Sequence, residues 1–261
     1  MIKASFVIVT RNRSELLKGC LASLSNIIDS SYEIIVVDNG STDETLKQLK
    51  KNQLRAGNFQ LIENSQNLGV AAARNQGAQM AQGHYIIFLD DDTLMAPDTS
   101  FGKIIDFMDS NKKIAVVGPK ILYPNGKIQE SYRRFPSLPA IIWRGTPLHK
   151  IIPQARFYRN YILADANPND LMSVDWVIGA CQVINRDAFV KLGPLDNKYF
   201  FGWEDLDFCF KVKMSGYYVV YFPDTQVLHY YQRESAKGII SIAKLQHVKS
   251  ITRFFIKAYF G

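Results

Sequence analysis

Short apolar runs alternate with helix-spaced segments through the first half of this chain. Ser5–Thr10 is β-branched and apolar, and Glu33–Asp38, Phe59–Glu63 and Tyr85–Asp90 repeat the pattern. Runs of this length suit strands buried on both faces. Between them, Leu16–Leu24 has apolar residues at helical spacing and Val70–Ala81 is alanine-rich. After Asp38 a helix is expected that Ser41 or Thr42 can start and that Asp43 and Glu44 favour electrostatically. A helix near Asp98–Asp109 and a strand at Ile114–Gly118 continue the alternation. Such a chain is α/β, with a largely parallel sheet and helices on both faces. Ligands bind outside the carboxyl ends of the strands in sheets of this kind.

From Leu122 to Ser173 the periodicity fades, punctuated by Pro124, Pro136, Pro139, Pro147, Pro153 and Pro168. So long an irregular stretch is either a surface excursion closing over the sheet or a direct substrate contact. Order resumes at Val174–Ile184, a helix is expected over Glu204–Ser215, and Tyr217–Phe222 and Gln226–Tyr230 read as late strands. The tail from Ile239 to Phe260 carries Val248, Ile251, Phe255 and Ala258 near helical spacing, with Lys249, Arg253 and Lys257 as an i, i+4 stripe. It is either a basic amphipathic helix lying on an anionic bilayer or a terminal helix packed on the domain. No repeat or linker divides the chain. One domain is expected over 1–261, with a nucleotide-binding half (1–120), an acceptor-binding half (121–235) and the basic helix (236–261).

A chain of 261 residues, 47% hydrophobic and 21% charged, is globular rather than disordered. Its net charge of +7 invites a polyanionic partner, whether nucleic acid, nucleotide or anionic membrane. Much of the excess lies at Arg133, Arg134, Arg144, Lys150, Arg156 and Arg159, and the tail adds Lys237, Lys244, Lys249, Arg253 and Lys257. No helix-turn-helix, zinc-finger or RNP signature accompanies it, which disfavours nucleic acid. Cys20, Cys181 and Cys209 are widely spaced with no CxxC pair, which fits a reducing cytoplasm and argues against a disulfide scaffold or a structural zinc. The apolar runs are strand-length and the N-terminus carries no signal-peptide pattern. A cytoplasmic location follows, at the inner face of the membrane if the tail binds it.

Every polar motif sits at the end of an expected strand. YIIFLDDDT runs four strand residues into Asp90, Asp91 and Asp92. Clustered carboxylates repel and resist desolvation, so such a cluster calls for a hard divalent ion such as Mg²⁺ or Mn²⁺. The alternative is a solvated acidic turn with Asp92 capping a helix. In DNGSTD, Asp38 can accept from a base imide or a ribose hydroxyl, although an Asx turn would also satisfy it. NLGVAAARNQG places Arg74 on a small-residue helix from which it could reach a phosphate. FFGWEDLDFCFK sets Glu204, Asp205 and Asp207 behind aromatic rings, a setting that raises a carboxyl pKa and suits a general base. Trp203 offers a flat face to a sugar, and His229, ending QVLHYY, is either a core histidine or a metal ligand. TRNRSE stands where a dinucleotide fold or a nucleotidyltransferase would place a glycine-rich loop.

Taken in order, VIVTRNR, VVDNGSTD, NLGVAAARNQG, FLDDDT, VDWVIGACQVINR, FFGWEDLDFCFK and LHYY resemble the family 2 glycosyltransferases, over about Ile2 to Arg233. VDWVIGAC and FFGWEDLD are similar to the bacterial rhamnosyltransferase-like subgroup. The resemblance implies the GT-A fold, a Rossmann-like and mostly parallel sheet with a C-terminal acceptor-side half. It also implies inverting transfer of a sugar, rhamnose in this subgroup, from a dTDP- or UDP-linked donor to a glycan or lipid-linked acceptor in polysaccharide or cell-envelope synthesis, with Mn²⁺ or Mg²⁺. By the same resemblance Thr10, Arg11 and Asn12 line the nucleotide pocket, Asp38 binds the base, and Arg74 sits near the base or pyrophosphate. Asp90 and Asp92 form the DxD pair, with Asp90 and Asp91 on the donor side, while Asp92 and His229 hold the metal. Asp205 is the base with Glu204 its competitor, Gly179 and Ala180 border the donor sugar, and Trp203 and Trp176 border the acceptor. Two alternatives are a sugar nucleotidyltransferase, which would want the missing glycine loop, and an inactive binding-only member, which would show damaged DxD or WED motifs.

Overall fold

Six strands running in one direction carry the fold: β1 (Ala4–Thr10), β2 (Tyr32–Asp38), β3 (Phe59–Glu63), β4 (Tyr85–Asp90), β6 (Ile114–Leu122) and β11 (Tyr218–His229). Three short strands join them antiparallel: β5 (Thr93–Met95), β8 (Met172–Val174) and β10 (Cys181–Asn185). The order is β3-β2-β1-β4-β10-β6-β11-β5, with β8 adding to β11. A separate ribbon pairs β7 (Tyr132–Arg133) with β9 (Trp176–Val177). The structure, a computed structural model, describes residues 1–25, 27, 31–53, 58–146, 155–231 and 242–260.

Strand side chains alternate between two apolar layers. Phe6 and Ile8 of β1 pack with α1 (Ser14–Leu24), α2 (Thr45–Gln53) and α4 (Phe101–Ser110) through Leu17, Leu49 and Ile104. Val7 and Phe88 face the other layer, built by α3 (Val70–Met80), α7 (Arg186–Leu192), α8 (Glu204–Met214) and α9 (Ile242–Phe260). Two further helices, α5 (Leu138–Gly145) and α6 (Arg156–Tyr161), lie in the middle segment. A buried sheet with both faces covered is what near-continuous apolar runs require.

Several expected boundaries move for identifiable reasons. The helix after Asp38 begins at Thr45 rather than at Ser41 or Thr42, because Asp43 accepts from the Thr45 N–H while Ser41 and Thr42 bond to Asn12 instead. The two late strands are one, β11, interrupted by a register shift between Phe222 and Gln226. Pro223 has no N–H for the ladder and falls inside that break. The Val174–Ile184 segment divides among β8, β9 and β10, and β10 inserts antiparallel between β4 and β6. The two expected halves therefore share one sheet. Pro147, Lys150, Pro153, Lys237 and Ile239 lie outside the described residues.

The tail helix packs on the domain, one of the two arrangements expected of it. The Lys249–Arg253–Lys257 stripe does not form one outward basic face: Arg253 Nε donates to Asp196 at 2.8 Å, and Lys257 Nζ donates to the buried Asp207 at 2.7 Å. Phe254 and Phe255 are buried beside them. Leu245, Val248, Lys249, Thr252, Ile256 and Tyr259 are the described side chains turned outward. No helix among the described residues is long and apolar enough to cross a membrane.

Gly77 shows how tightly α3 lies on the sheet. A Cβ there would stand 2.3 Å from Val7 Cγ1. Glycine to alanine inside a helix ordinarily stabilises by roughly 0.5–1 kcal/mol. Here the sign reverses: Gly77→Ala should destabilise by about 1–3 kcal/mol, as overpacking does, measured by urea unfolding. A variant as stable as the parent would show that Val7 yields freely.

Candidate active site

The carboxyl ends of β1, β2, β4 and β11 share one rim, where the polar motifs converge. Two backbone ties fix its acidic loop. Asp90 N–H donates to Ala180 O at 3.0 Å, and Tyr230 N–H donates to Asp92 O at 2.9 Å. The second, with the Thr93–His229 pairing of β5 and β11, brings Asp92 beside His229.

Among the described residues, Asp90, Asp92 and His229 can each offer a ligand atom, all within 4.8 Å of one another. Asp92 Oδ1 is buried without a hydrogen-bond partner, 3.1 Å from His229 Nε2, a contact that is a hydrogen bond only when Nε2 carries a proton. His229 Nδ1 lies 2.9 Å from Gln129 Oε1. Oxygen and imidazole donors with unspent lone pairs fit a hard or borderline divalent cation. Burial opposes charge on both groups. Even so, His229 and Arg13 hold Asp92 below the usual carboxylate range, and the Asp92 hydrogen bond with the Asp90 and Asp92 charges holds His229 above the usual imidazole value.

Asp91 turns the other way. Its Oδ2 accepts from Thr10 Oγ1 at 2.7 Å and its Oδ1 from Arg13 Nη1 at 3.0 Å. The same Nη1 reaches Asp92 Oδ2 at 3.0 Å. Burial pushes Asp91 up to about 7 against the pull of Arg13. Thr10 and Asp91 are thus partners of each other in the floor of the rim. Arg11 and Asn12 are exposed above it, where Asn12 adopts a left-handed φ of 53° and Arg11 Nε donates to Gly40 O. Asp38 Oδ2 accepts from the Ser41 N–H at 3.1 Å, which is the Asx turn, while Oδ1 is buried and unpartnered.

Arg74, 3% exposed, is the hub of the rim. Its Nη2 donates to Asp90 Oδ1 at 2.7 Å and to Gly179 O at 2.8 Å, and its Nη1 donates to Glu204 Oε1 at 3.0 Å. Glu204 is buried, and burial together with Asp205 pushes it up to about 8 against Arg74. Asp205 is half-buried: Oδ2 accepts from the Gly179 N–H and Oδ1 from the Leu206 N–H, each at 2.7 Å. Burial raises it, and Arg74 counters.

A profile described as Glycosyl transferase family 2 matches residues 5–193. The chain belongs to that family. This family 2 glycosyltransferase is 29% identical over 92% of its length to an N-acetylglucosaminyl-diphospho-decaprenol L-rhamnosyltransferase of Mycobacterium tuberculosis, spanning 80% of that protein. It is 26% identical over 96% of its length to the rhamnosyltransferase WbbL of Escherichia coli, spanning 92% of it. Among solved structures, GalNAc-T7 with UDP, GalNAc and Mn²⁺ superposes with TM-score 0.71 at 22% identity, over 97% of this chain. The chain spans about half (48%) of GalNAc-T7. The mannosyltransferase PcManGT of Pyrobaculum calidifontis, solved with GDP-Man and Mn²⁺, gives 0.67 at 18% identity, over 98% of this chain and 64% of that one. These likenesses show the GT-A fold.

One aromatic expectation does not fit. Trp176 is 8% exposed, stacked under Arg133 with its Nε1–H donated to Arg134 O, so it is a core ring rather than an acceptor platform. Trp203 packs its indole against His247, Phe254 and Phe255 of α9. The absence of a side chain at Gly179 serves Arg74. A Cβ at 179 would stand 2.5 Å from Arg74 Nη1, so the arginine needs the space. Ala180 is buried, its carbonyl holding Asp90. Sequence reasoning missed Arg13 and Gln129. It also missed Asn39, whose side chain bonds Asn67, Leu68 and Gly69 and so anchors the NLG turn to β2.

Gly179→Ala tests the hub. The guanidinium must move off its three acceptors, so turnover should fall by about 10²-fold, the effect of ångström-scale misplacement, and Tm should fall as well because the buried Glu204 loses its counter-charge. Unchanged turnover would show that the Arg74 position does not matter to the reaction.

Proposed function

We propose that this glycosyltransferase is an inverting, cation-dependent enzyme that moves rhamnose from a dTDP- or UDP-linked donor to a lipid-linked glycan acceptor during cell-envelope polysaccharide synthesis. The observation that carries this is the shared rim. It sets three ligand atoms of Asp90, Asp92 and His229 within 4.8 Å of one another and ties them, through Arg74, to the strand end that anchors Asp205. A Mn²⁺ or Mg²⁺ ion held by Asp92 and His229 would supply charge neutralisation for the departing diphosphate. The names of both rhamnosyltransferase relatives support the sugar, and the decaprenol-linked substrate in one of them supports the acceptor class.

The other roles follow from which atoms remain free. Asp38 Oδ1 has no partner and is placed to accept from the imide N–H of a uracil or thymine base, while Oδ2 keeps the turn. Arg11 and Asn12 flank that base from above. Asp91, with Thr10 and Arg13, positions Asp92 rather than touching the donor. Asp205 takes the acceptor proton: it is half-buried and oriented by two backbone N–H groups, and its raised pKa makes it a better base near neutrality. Glu204 is buried and turned to Arg74, which makes it a positioning residue.

Asp205→Asn keeps the shape of the side chain and one of the two backbone contacts, because its amide NH₂ cannot accept from a second N–H, and it removes the base. Turnover should drop by about 10²–10⁴-fold, with nucleoside diphosphate binding by calorimetry nearly intact. Turnover within a few-fold of the parent would transfer the role to Glu204.

A lipid-linked acceptor also gives the outward face of α9 a partner. Leu245, Val248, Ile256 and Tyr259 form an apolar stripe with Lys249 beside it, and the buried side of the helix holds Trp203 next to the base. An interfacial helix of this kind would seat the enzyme on an anionic bilayer at the cytoplasmic face. In flotation with phosphatidylglycerol vesicles the enzyme should rise with the lipid, less so with purely zwitterionic vesicles, and Val248→Asp/Ile256→Asp should stay at the bottom. Equal recovery with and without anionic lipid would remove the membrane contact.

A further inference from the structure

His229 is met on both ring nitrogens, and the partner on the side away from Asp92 is a neutral amide. β11 runs parallel to β6 with Leu228 opposite Leu122, so His229 lies just past the last paired residue of β6. There the chain turns back through Gly126, at φ 78°, and Gln129 N–H donates to Ile121 O at 2.8 Å. Ile128 and Glu130 point outward while Gln129, 6% exposed, points in. Its Oε1 lies 2.9 Å from His229 Nδ1. Nothing in the reaction proposed above uses this residue.

We propose that Gln129 is a positioning residue that fixes the tautomer of His229, holding Nδ1 as the protonated nitrogen so that Nε2 faces Asp92 as a lone pair. This rests on the cation site proposed above. A neutral imidazole carries one N–H, and the group facing one nitrogen decides which nitrogen has it. An amide oxygen at Nδ1 accepts that hydrogen, which leaves Nε2 free to ligate. With the amide reversed, its NH₂ would donate to Nδ1, the hydrogen would move to Nε2, and Asp92 Oδ1 at 3.1 Å would take it, closing the site to an ion. In a pocket where His229 and Asp92 are each 4% exposed, water is poorly placed to substitute for either partner. Histidine ligands are commonly oriented in this way by the group on their second nitrogen.

The test uses the metal alone and two substitutions. Calorimetric titration with Mn²⁺ should show Gln129→Leu binding about 10–100-fold more weakly than the parent. Gln129→Glu, which restores an oxygen at Nδ1, should bind within a few-fold of the parent or more tightly. The ¹⁵N shifts of His229 in the metal-free protein at mildly alkaline pH should report hydrogen on Nδ1 in the parent and a shift toward the Nε2–H tautomer in Gln129→Leu, a change that a purely structural glutamine would not produce. Parent-like affinity in Gln129→Leu, or hydrogen on Nε2 in the metal-free parent, overturns the inference and leaves the cation site standing. No Mn²⁺ uptake by the parent overturns both.

Discussion

A buried guanidinium holds the acidic loop of this enzyme to Glu204 and to the turn that anchors Asp205. Arg74 is enclosed by protein, and a desolvated cation is tolerated only where carboxylates and carbonyls complete its coordination. They come from positions 16, 105 and 130 residues away along the chain: Asp90 at the end of β4, Gly179 before β10, and Glu204 opening α8. Three segments with no local reason to meet are thereby pinned to one helix. Breaking the pair would leave Glu204 buried without its counter-charge, a far larger penalty than a surface ion pair carries. The bridge also explains the residue types around it: the alanines that let α3 lie close to the sheet, and the glycine that leaves room for the arginine's head.

Charge balance then gives the rim its chemistry. Asp90, Asp91, Asp92, Glu204 and Asp205 gather there against the guanidiniums of Arg13 and Arg74 and the imidazole of His229. Arg13 serves Asp91 and Asp92, and Arg74 serves Asp90 and Glu204. Asp92 Oδ1 remains unpartnered, and Asp205 accepts only from backbone N–H groups. An excess of carboxylates over fixed cations suits a divalent ion at one end. At the other end burial, with a smaller push from Asp90, raises the proton affinity of Asp205.

Much of this was legible in the sequence because the apolar runs stop at acidic residues. Asp38 and Asp90 end parallel strands, so strand direction alone puts both on one rim with His229. The antiparallel insertion of β10 was not legible: CQVIN reads like any short buried strand, and only long-range pairing decides its neighbours. Trp176 misled, since a tryptophan ring suits a sugar face and a core equally well, and sequence carries no sign of which side is solvated. The basic stripe on α9 misled for a related reason. Lysine and arginine at i, i+4 read as an outward face, but Asp196 and Asp207 meet Arg253 and Lys257 from distant segments and turn that face inward. Gln129 had no signal at all, because a lone amide acquires meaning only from the histidine it meets.

Among the described residues of the irregular middle segment, 129–131 form a strap. At one end Gln129 meets His229. Two residues on, Ser131 O accepts from the Ile178 N–H, immediately before the Gly179 N–H that holds Asp205. Ser131 Oγ itself is buried without a partner between these two ends. The strap thus spans from the histidine to the anchor of the base without belonging to the main sheet. Changes in its length or side chains would alter the space between the two chemical centres while the sheet, which fixes the nucleotide end, kept its register. The link between the two ends runs through Gln129 and Ser131.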